Sequence, residues 1–123
     1  MKKIMRKAIT AVVCAMLLVG TMGMTALAAY GGISGSLKDD VGTVTMQNTS
    51  GTTRKCYLTL REYNGYNSSN YNIVSSNSGT ISSGNTISTS GKITKEHAKG
   101  VGLIYNSSES QSGVASTLTT QIK

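Results

Sequence analysis

The stretch Arg54-Lys55-Cys56-Tyr57-Leu58-Thr59-Leu60-Arg61-Glu62-Tyr63, followed at once by Asn64-Gly65, decides the fold class of this chain. Cys56, Leu58 and Leu60 share one parity, and Tyr57, Thr59 and Arg61 share the other. That is the period-two signature of a strand with one face in a core. Asn64-Gly65 is a turn cluster, since Gly and Asn supply turns. A second alternating series, Val114, Ser116, Leu118, Thr120 and Ile122, runs to the end of the chain. No segment after residue 30 sustains the 3.6-residue period of an amphipathic helix.

Composition extends the reading outward. From Ala29 onward, Ser, Thr, Asn and Gly make up 50 of 95 residues, and the apolar residues among them are mostly Ile, Val and Leu. Thr and β-branched aliphatics suit a pleated surface, while Gly, Asn and Ser supply turns. Strands are expected near Ile33 to Lys38, Val41 to Asn48, Arg54 to Tyr63, Thr80 to Ile93 with a break at Ser83-Gly84-Asn85, His97 to Asn106, and Gly113 to Ile122. Turns are expected at Lys38-Asp39-Asp40, Asn48 to Gly51, Asn64-Gly65, Asn77-Ser78-Gly79, Ser90-Gly91-Lys92 and Asn106 to Gly113. Short strands about ten residues apart imply an all-β fold, a small antiparallel β-sandwich of six or seven strands with Greek-key order as one arrangement.

The first 29 residues read as a secretory leader rather than as part of that domain. Lys2, Lys3, Arg6 and Lys7 form a basic start, Ala8 to Gly20 an apolar run, and Ala26-Leu27-Ala28-Ala29 a small-residue end. As a helix the apolar run spans about 20 Å, short of the roughly 30 Å hydrocarbon core. Cleavage after Ala28 or Ala29 is expected, giving residues 1–29 as leader and 30–123 as a single all-β domain, secreted to the extracellular space without stable membrane insertion. Cys14 leaves with the leader, so Cys56 remains alone and closes no intramolecular disulfide. Its parity with Leu58 and Leu60 makes it a small core residue, with an intermolecular disulfide or a reactive thiol as the alternatives.

Charge and inventory then exclude functions. The chain carries a formal charge of +7, but four of its 12 Lys and Arg residues lie in the leader, which leaves 8 against five acidic residues, or +3. These cations are scattered, whereas nucleic-acid binding needs a clustered basic face. Attraction to an anionic wall or membrane surface remains compatible with +3. His97 is the one imidazole, and zinc ordinarily takes three or four Cys, His or carboxylate ligands. Asp39-Asp40 reads as a turn, without a Glu at calcium-loop spacing. A Cys56–His97 nucleophile pair fails on the inward parity of Cys56, and no carboxylate pair, phosphate loop or nucleophile elbow is present. The expectation is a non-enzyme without metal or cofactor.

Aromatic residues supply the candidate site. Tyr63, Tyr66 and Tyr71 fall within nine residues, interleaved with Asn and Ser. Tyrosine rings provide contact area at small entropy cost, and amides and hydroxyls match polar groups of sugars or peptides. The partners this suggests are a cell-wall glycan or another surface protein, and the edges of a Thr-rich sandwich add self-association. In format, a leader followed by a small β-domain, the chain is similar to small secreted β-sandwich proteins of Gram-positive bacteria, among them the lactococcin-type bacteriocins. It lacks the Trp-containing and His-rich segments associated with that group, and no family motif maps onto it residue by residue. Two classes of function follow: a secreted structural or binding module acting at the bacterial cell surface, and a small bacteriocin-like antibacterial effector.

Overall fold

A computed structural model describes residues 25–27, 30–65, 69–111 and 113–123. Within them the chain forms eight strands and no helix: β1 (Thr25–Leu27), β2 (Gly31–Lys38), β3 (Val41–Asn48), β4 (Arg54–Tyr63), β5 (Asn72–Ile81), β6 (Thr86–Lys92), β7 (His97–Tyr105) and β8 (Val114–Gln121). All pairings are antiparallel, in two four-stranded sheets ordered β1-β2-β3-β6 and β5-β4-β7-β8. The fold is the all-β sandwich the alternation implied. β6 pairs with β3 and β7 with β4, so the chain crosses between the sheets after β3, after β5 and after β6. β1 lies in the stretch read as the end of the leader, and it lines up against Gly32 to Ser34 of β2.

The β2–β3 hairpin shows how sequence sets a register. Asp39 and Asp40 have φ of 52° and 65°, the left-handed pair of a two-residue type I′ turn whose twist matches the flanking strands. That turn locks Lys38 opposite Val41 and carries the pairing unbroken to Gly31 opposite Asn48.

The core lies between the sheets. Ile33, Val44, Met46, Ile87 and Ile93 come from one side, and Cys56, Leu58, Leu60, Ala98, Ile104 and Leu118 from the other, all buried. Their side chains interdigitate through a size rule rather than through uniform bulk. The inward positions of β7 are Ala98, Gly100, Gly102 and Ile104. A Cβ at Gly100 would sit 2.5 Å from Val44 Cγ1, and one at Gly102 would overlap Met46 Sδ. The two glycines are therefore sockets for the large side chains of β3, which lets the sheets approach to close-packed density.

The two ends of the sandwich are closed by buried polar groups. Asn48 donates from Nδ2 to the carbonyls of Thr52 (2.9 Å) and Ile81 (2.8 Å) and accepts at Oδ1 from Ser50 N (3.0 Å) and Ser50 Oγ (2.7 Å). At the other end the Glu62 carboxylate accepts from Thr94 N (2.8 Å) and Thr94 Oγ1 (3.1 Å), tying the β6–β7 crossover to β4. Each group would carry a desolvation penalty if unpaired, and these bonds remove it.

Two strand expectations need correction. The break at Ser83-Gly84-Asn85 separates β5 from β6 as expected, but β5 begins at Asn72 and not at Thr80, so Asn77-Ser78-Gly79 lies inside β5 rather than in a turn. Ser90-Gly91-Lys92 likewise completes β6, paired with Thr43, Gly42 and Val41. The physical reason is the same in both places: these are sheet-edge strands, and most of their side chains face water. Backbone pairing with a central strand holds them, without the apolar alternation that sequence reading depends on. The Val114 series is also interrupted. A bulge opposite Ile104/Tyr105 leaves Ala115 unpaired, so Leu118 and Thr120 are buried as expected while Val114 is turned to solvent.

Candidate functional site

The solvent face of the β5-β4-β7-β8 sheet carries the most concentrated candidate site among the described residues. The outward parity of β4 presents Lys55, Tyr57, Thr59, Arg61 and Tyr63, and β7 sets Leu103, Val101, Lys99 and His97 opposite Tyr57, Thr59, Arg61 and Tyr63. A face open to water ordinarily reads polar along a strand. Here it holds Tyr57, Val101 and Leu103 side by side, and Val101 is itself buried although it points away from the core. The inversion follows from β7: its inward positions are given to glycine to receive Val44 and Met46, and its aliphatic residues stand on the outside.

The groove acquires its second wall through a bulge. Leu60 is opposite Ser75 and Arg61 opposite Ile73, so β5 contains one extra residue at this point. The slip turns Val74 inward, against the core, and Ile73 outward, where it is 51% exposed. Tyr71, 37% exposed, follows Asn70 into the same hollow. Together Tyr57, Arg61, Tyr71, Ile73, Val101 and Leu103 line a groove of about 200 Å³.

Arg61 is the fixed polar element. Its Nε donates to Thr59 Oγ1 (3.0 Å), Thr59 Oγ1 donates to the Val101 carbonyl (3.2 Å), and the guanidinium carbon lies 4.3 Å from the centre of the Tyr71 ring. Hydrogen bonding in the plane and cation–π contact on its face hold the guanidinium in one orientation. The arrangement suits a ligand with flat or apolar surface for the tyrosines and aliphatics and an acceptor group for the guanidinium.

The three tyrosines expected to form a site are placed differently. Tyr71 lines the groove. Tyr63, only 7% exposed, lies at the far end of β4 with its ring 5.5 Å from that of His97, and its hydroxyl accepts from Gln121 Nε2 (2.7 Å). Gln121 Nε2 also donates to the carbonyls of Ala98 and Lys123, so Tyr63 takes part in fastening the last strand. Tyr66 lies outside the described residues. Sequence reasoning did not single out Tyr57, Arg61, Ile73, Val101 or Leu103. The signal was in Lys99-Gly100-Val101-Gly102-Leu103, where glycine at every second position leaves the apolar residues on the other parity.

Cys56 stands as its parity implied, 1% exposed and free. Burial pushes its thiol pKa above the ordinary value, and the Arg54 charge pulls it partly back. No group of three or more His, Cys, Asp or Glu side chains among the described residues is arranged to hold a metal ion. A larger hollow of about 500 Å³ lies at the β5–β6 turn, but it is open, and its one long polar side chain, Gln47, is engaged with the Gly84 carbonyl at 2.9 Å. No protein-family model matches the chain, and no curated protein matches it in sequence.

Proposed function

We propose that this chain is a secreted, non-enzymatic binding module that acts at the bacterial cell surface or in the extracellular space, holding its partner on the outer face of the β5-β4-β7-β8 sheet. The observation that carries the reading is the groove itself: two tyrosines, three aliphatic side chains and an oriented arginine converge where an isolated sandwich would present a polar surface. The basic start, apolar run and small-residue end of residues 1–29 support export.

The test uses the full chain expressed with its leader. Intact mass of the supernatant protein reports whether cleavage follows Ala28 or Ala29. Its sedimentation with purified cell walls reports binding. Replacing Tyr57 and Tyr71 together with Ala is expected to weaken binding by about 1 kcal/mol or more per ring, with the melting temperature nearly unchanged. Full-length protein retained in membranes contradicts export. A lowered melting temperature with unaltered sedimentation would show that the rings only cover the sheet.

A further inference from the structure

We infer that the ligand of this face is an acidic glycan, a polymer whose sugar rings lie on Tyr57 and Tyr71 and whose carboxylates meet Arg61 and Lys99. The inference rests on the binding-module reading above and specifies its ligand class. Arg61 and Lys99 are directly opposite one another in the β4–β7 register, on the same outward face. Like charges in that position weaken a strand pair. Here the Arg61 guanidinium is turned onto the Tyr71 ring and the Lys99 ammonium lies 5.8 Å from the centre of the Tyr63 ring, and an anion between them would relieve the remaining repulsion. Lys55, six residues from Arg61 on the same parity of β4, adds a third cation about 20 Å along the strand.

None of the five acidic residues of the chain balances them on this face. Asp39 and Asp40 form the β2–β3 turn of the other sheet, Glu62 has inward parity and is bonded to Thr94, and Glu96 and Glu109 lie in the connections before β7 and before β8. Beside the Arg61–Lys99 pair the neighbouring strands set Ile73 of β5 and Gln121 of β8, and further along the same face their outward positions bear hydroxyls: Ser76, Ser78 and Thr80 on β5, Thr117 and Thr119 on β8. Spaced cations select a polymer carrying repeated negative charge. The hydroxyl borders and tyrosine surfaces favour a sugar backbone over an acyl-chain surface, which would leave those hydroxyls desolvated.

Calorimetric titration of the purified protein with polygalacturonate, with the same polymer fully methyl-esterified, and with poly-glutamate separates the possibilities. Polygalacturonate is expected to bind at least about tenfold more tightly than the neutral ester, the equivalent of one charge-assisted hydrogen bond, and more weakly as salt rises. Arg61→Gln is expected to remove most of that preference, and Lys99→Gln, a second variant away from the Arg61–Thr59 contact, to reduce it, with circular dichroism unchanged. Tyr57→Ala is expected to weaken both polysaccharides alike. Equal binding of acid and ester overturns the acidic specificity while the binding-module reading stands. Poly-glutamate bound as tightly as polygalacturonate overturns the glycan assignment. Binding of none of the three overturns the inference outright, and wall sedimentation then decides separately whether the face binds anything. Folded Arg61→Gln and Lys99→Gln proteins that keep the full preference overturn the site.

Discussion

Gly100→Ala tests whether the sandwich is held by sockets. The added Cβ would lie 2.5 Å from Val44 Cγ1 and 2.8 Å from Val44 Cγ2, about an ångström inside the roughly 3.5 Å of a relaxed carbon contact. Neither backbone is free to retreat, because β7 is paired on both sides by β4 and β8, and β3 by β2 and β6. Overpacking of this kind costs about 1–3 kcal/mol, offset by about 0.5–1 kcal/mol for replacing a strand glycine. The net is a loss of about 1–2 kcal/mol, or a melting temperature lower by roughly 4–16 °C in a domain of this size. Val44→Ala alone removes two buried methyl groups and is expected to cost about 2–3 kcal/mol. In the double variant the closest approach becomes the 3.2 Å from Val44 Cβ, which a shift of a few tenths of an ångström relieves. Urea denaturation followed by far-ultraviolet circular dichroism should therefore show the double variant more stable than the sum of the singles by about 1 kcal/mol or more. Additivity within about 0.5 kcal/mol, or a stabilising Gly100→Ala, refutes the argument.

Three further outcomes are expected. Because burial raises the Cys56 pKa, the folded chain keeps that proton at pH values where the unfolded chain, near the ordinary thiol value, has lost it. The resulting stability is complete below that pH and is lost as pH rises through the folded value, so the advantage of wild type over Cys56→Ala in thermal melts should shrink on the alkaline side. Asn48→Ala strands the carbonyls of Thr52 and Ile81 and the amide of Ser50, and chemical denaturation should show a loss of about 2–4 kcal/mol, against little change for the exposed Asn64→Ala. The double substitution Asp39→Asn, Asp40→Gly places the preferred residues at the two positive φ positions and should raise stability by about 0.5–1 kcal/mol, read as a higher melting temperature.

The architecture was legible wherever strands are half-buried. Cys56, Leu58 and Leu60 announced the inward face of β4, Asp39-Asp40 marked the β2–β3 hairpin turn, and Asn64-Gly65 marked where β4 ends, because apolar periodicity and turn chemistry are local properties. β5 was only partly legible: in Asn72-Ile73-Val74-Ser75-Ser76-Asn77-Ser78-Gly79-Thr80-Ile81 the two aliphatics at 73 and 74 are adjacent, which matches neither period, and the residues that follow resemble a loop. Only the unpaired edge of β4 makes it a strand, and no local pattern reports that edge. The groove was hidden for a related reason. Val101 and Leu103 would be placed in a core by hydropathy alone. Their outward position depends on the bulk of Val44 and Met46, more than 50 residues earlier in the chain and in the other sheet. Tyr71 was legible by composition, while Tyr57 and Arg61 were visible only as the outward parity of a strand read for its inward one.

The extra residue of β5 makes the interior and the exterior of this protein a single accounting problem. One position near Ser75 sets the phase of everything N-terminal to it in the strand: Val74 belongs to the core and Ile73 to the groove because the count slips there. Deleting Val74 would restore a regular ladder with Ile73 still outward but would remove filling from the core, and deleting Ile73 would set Val74 opposite Arg61 and empty the same core position. The groove face can therefore diversify by substitution at Tyr57, Tyr71 or Ile73, but not by changes of length in this strand. Natural variants of this chain should show side-chain variety around the groove within a β5 of constant length.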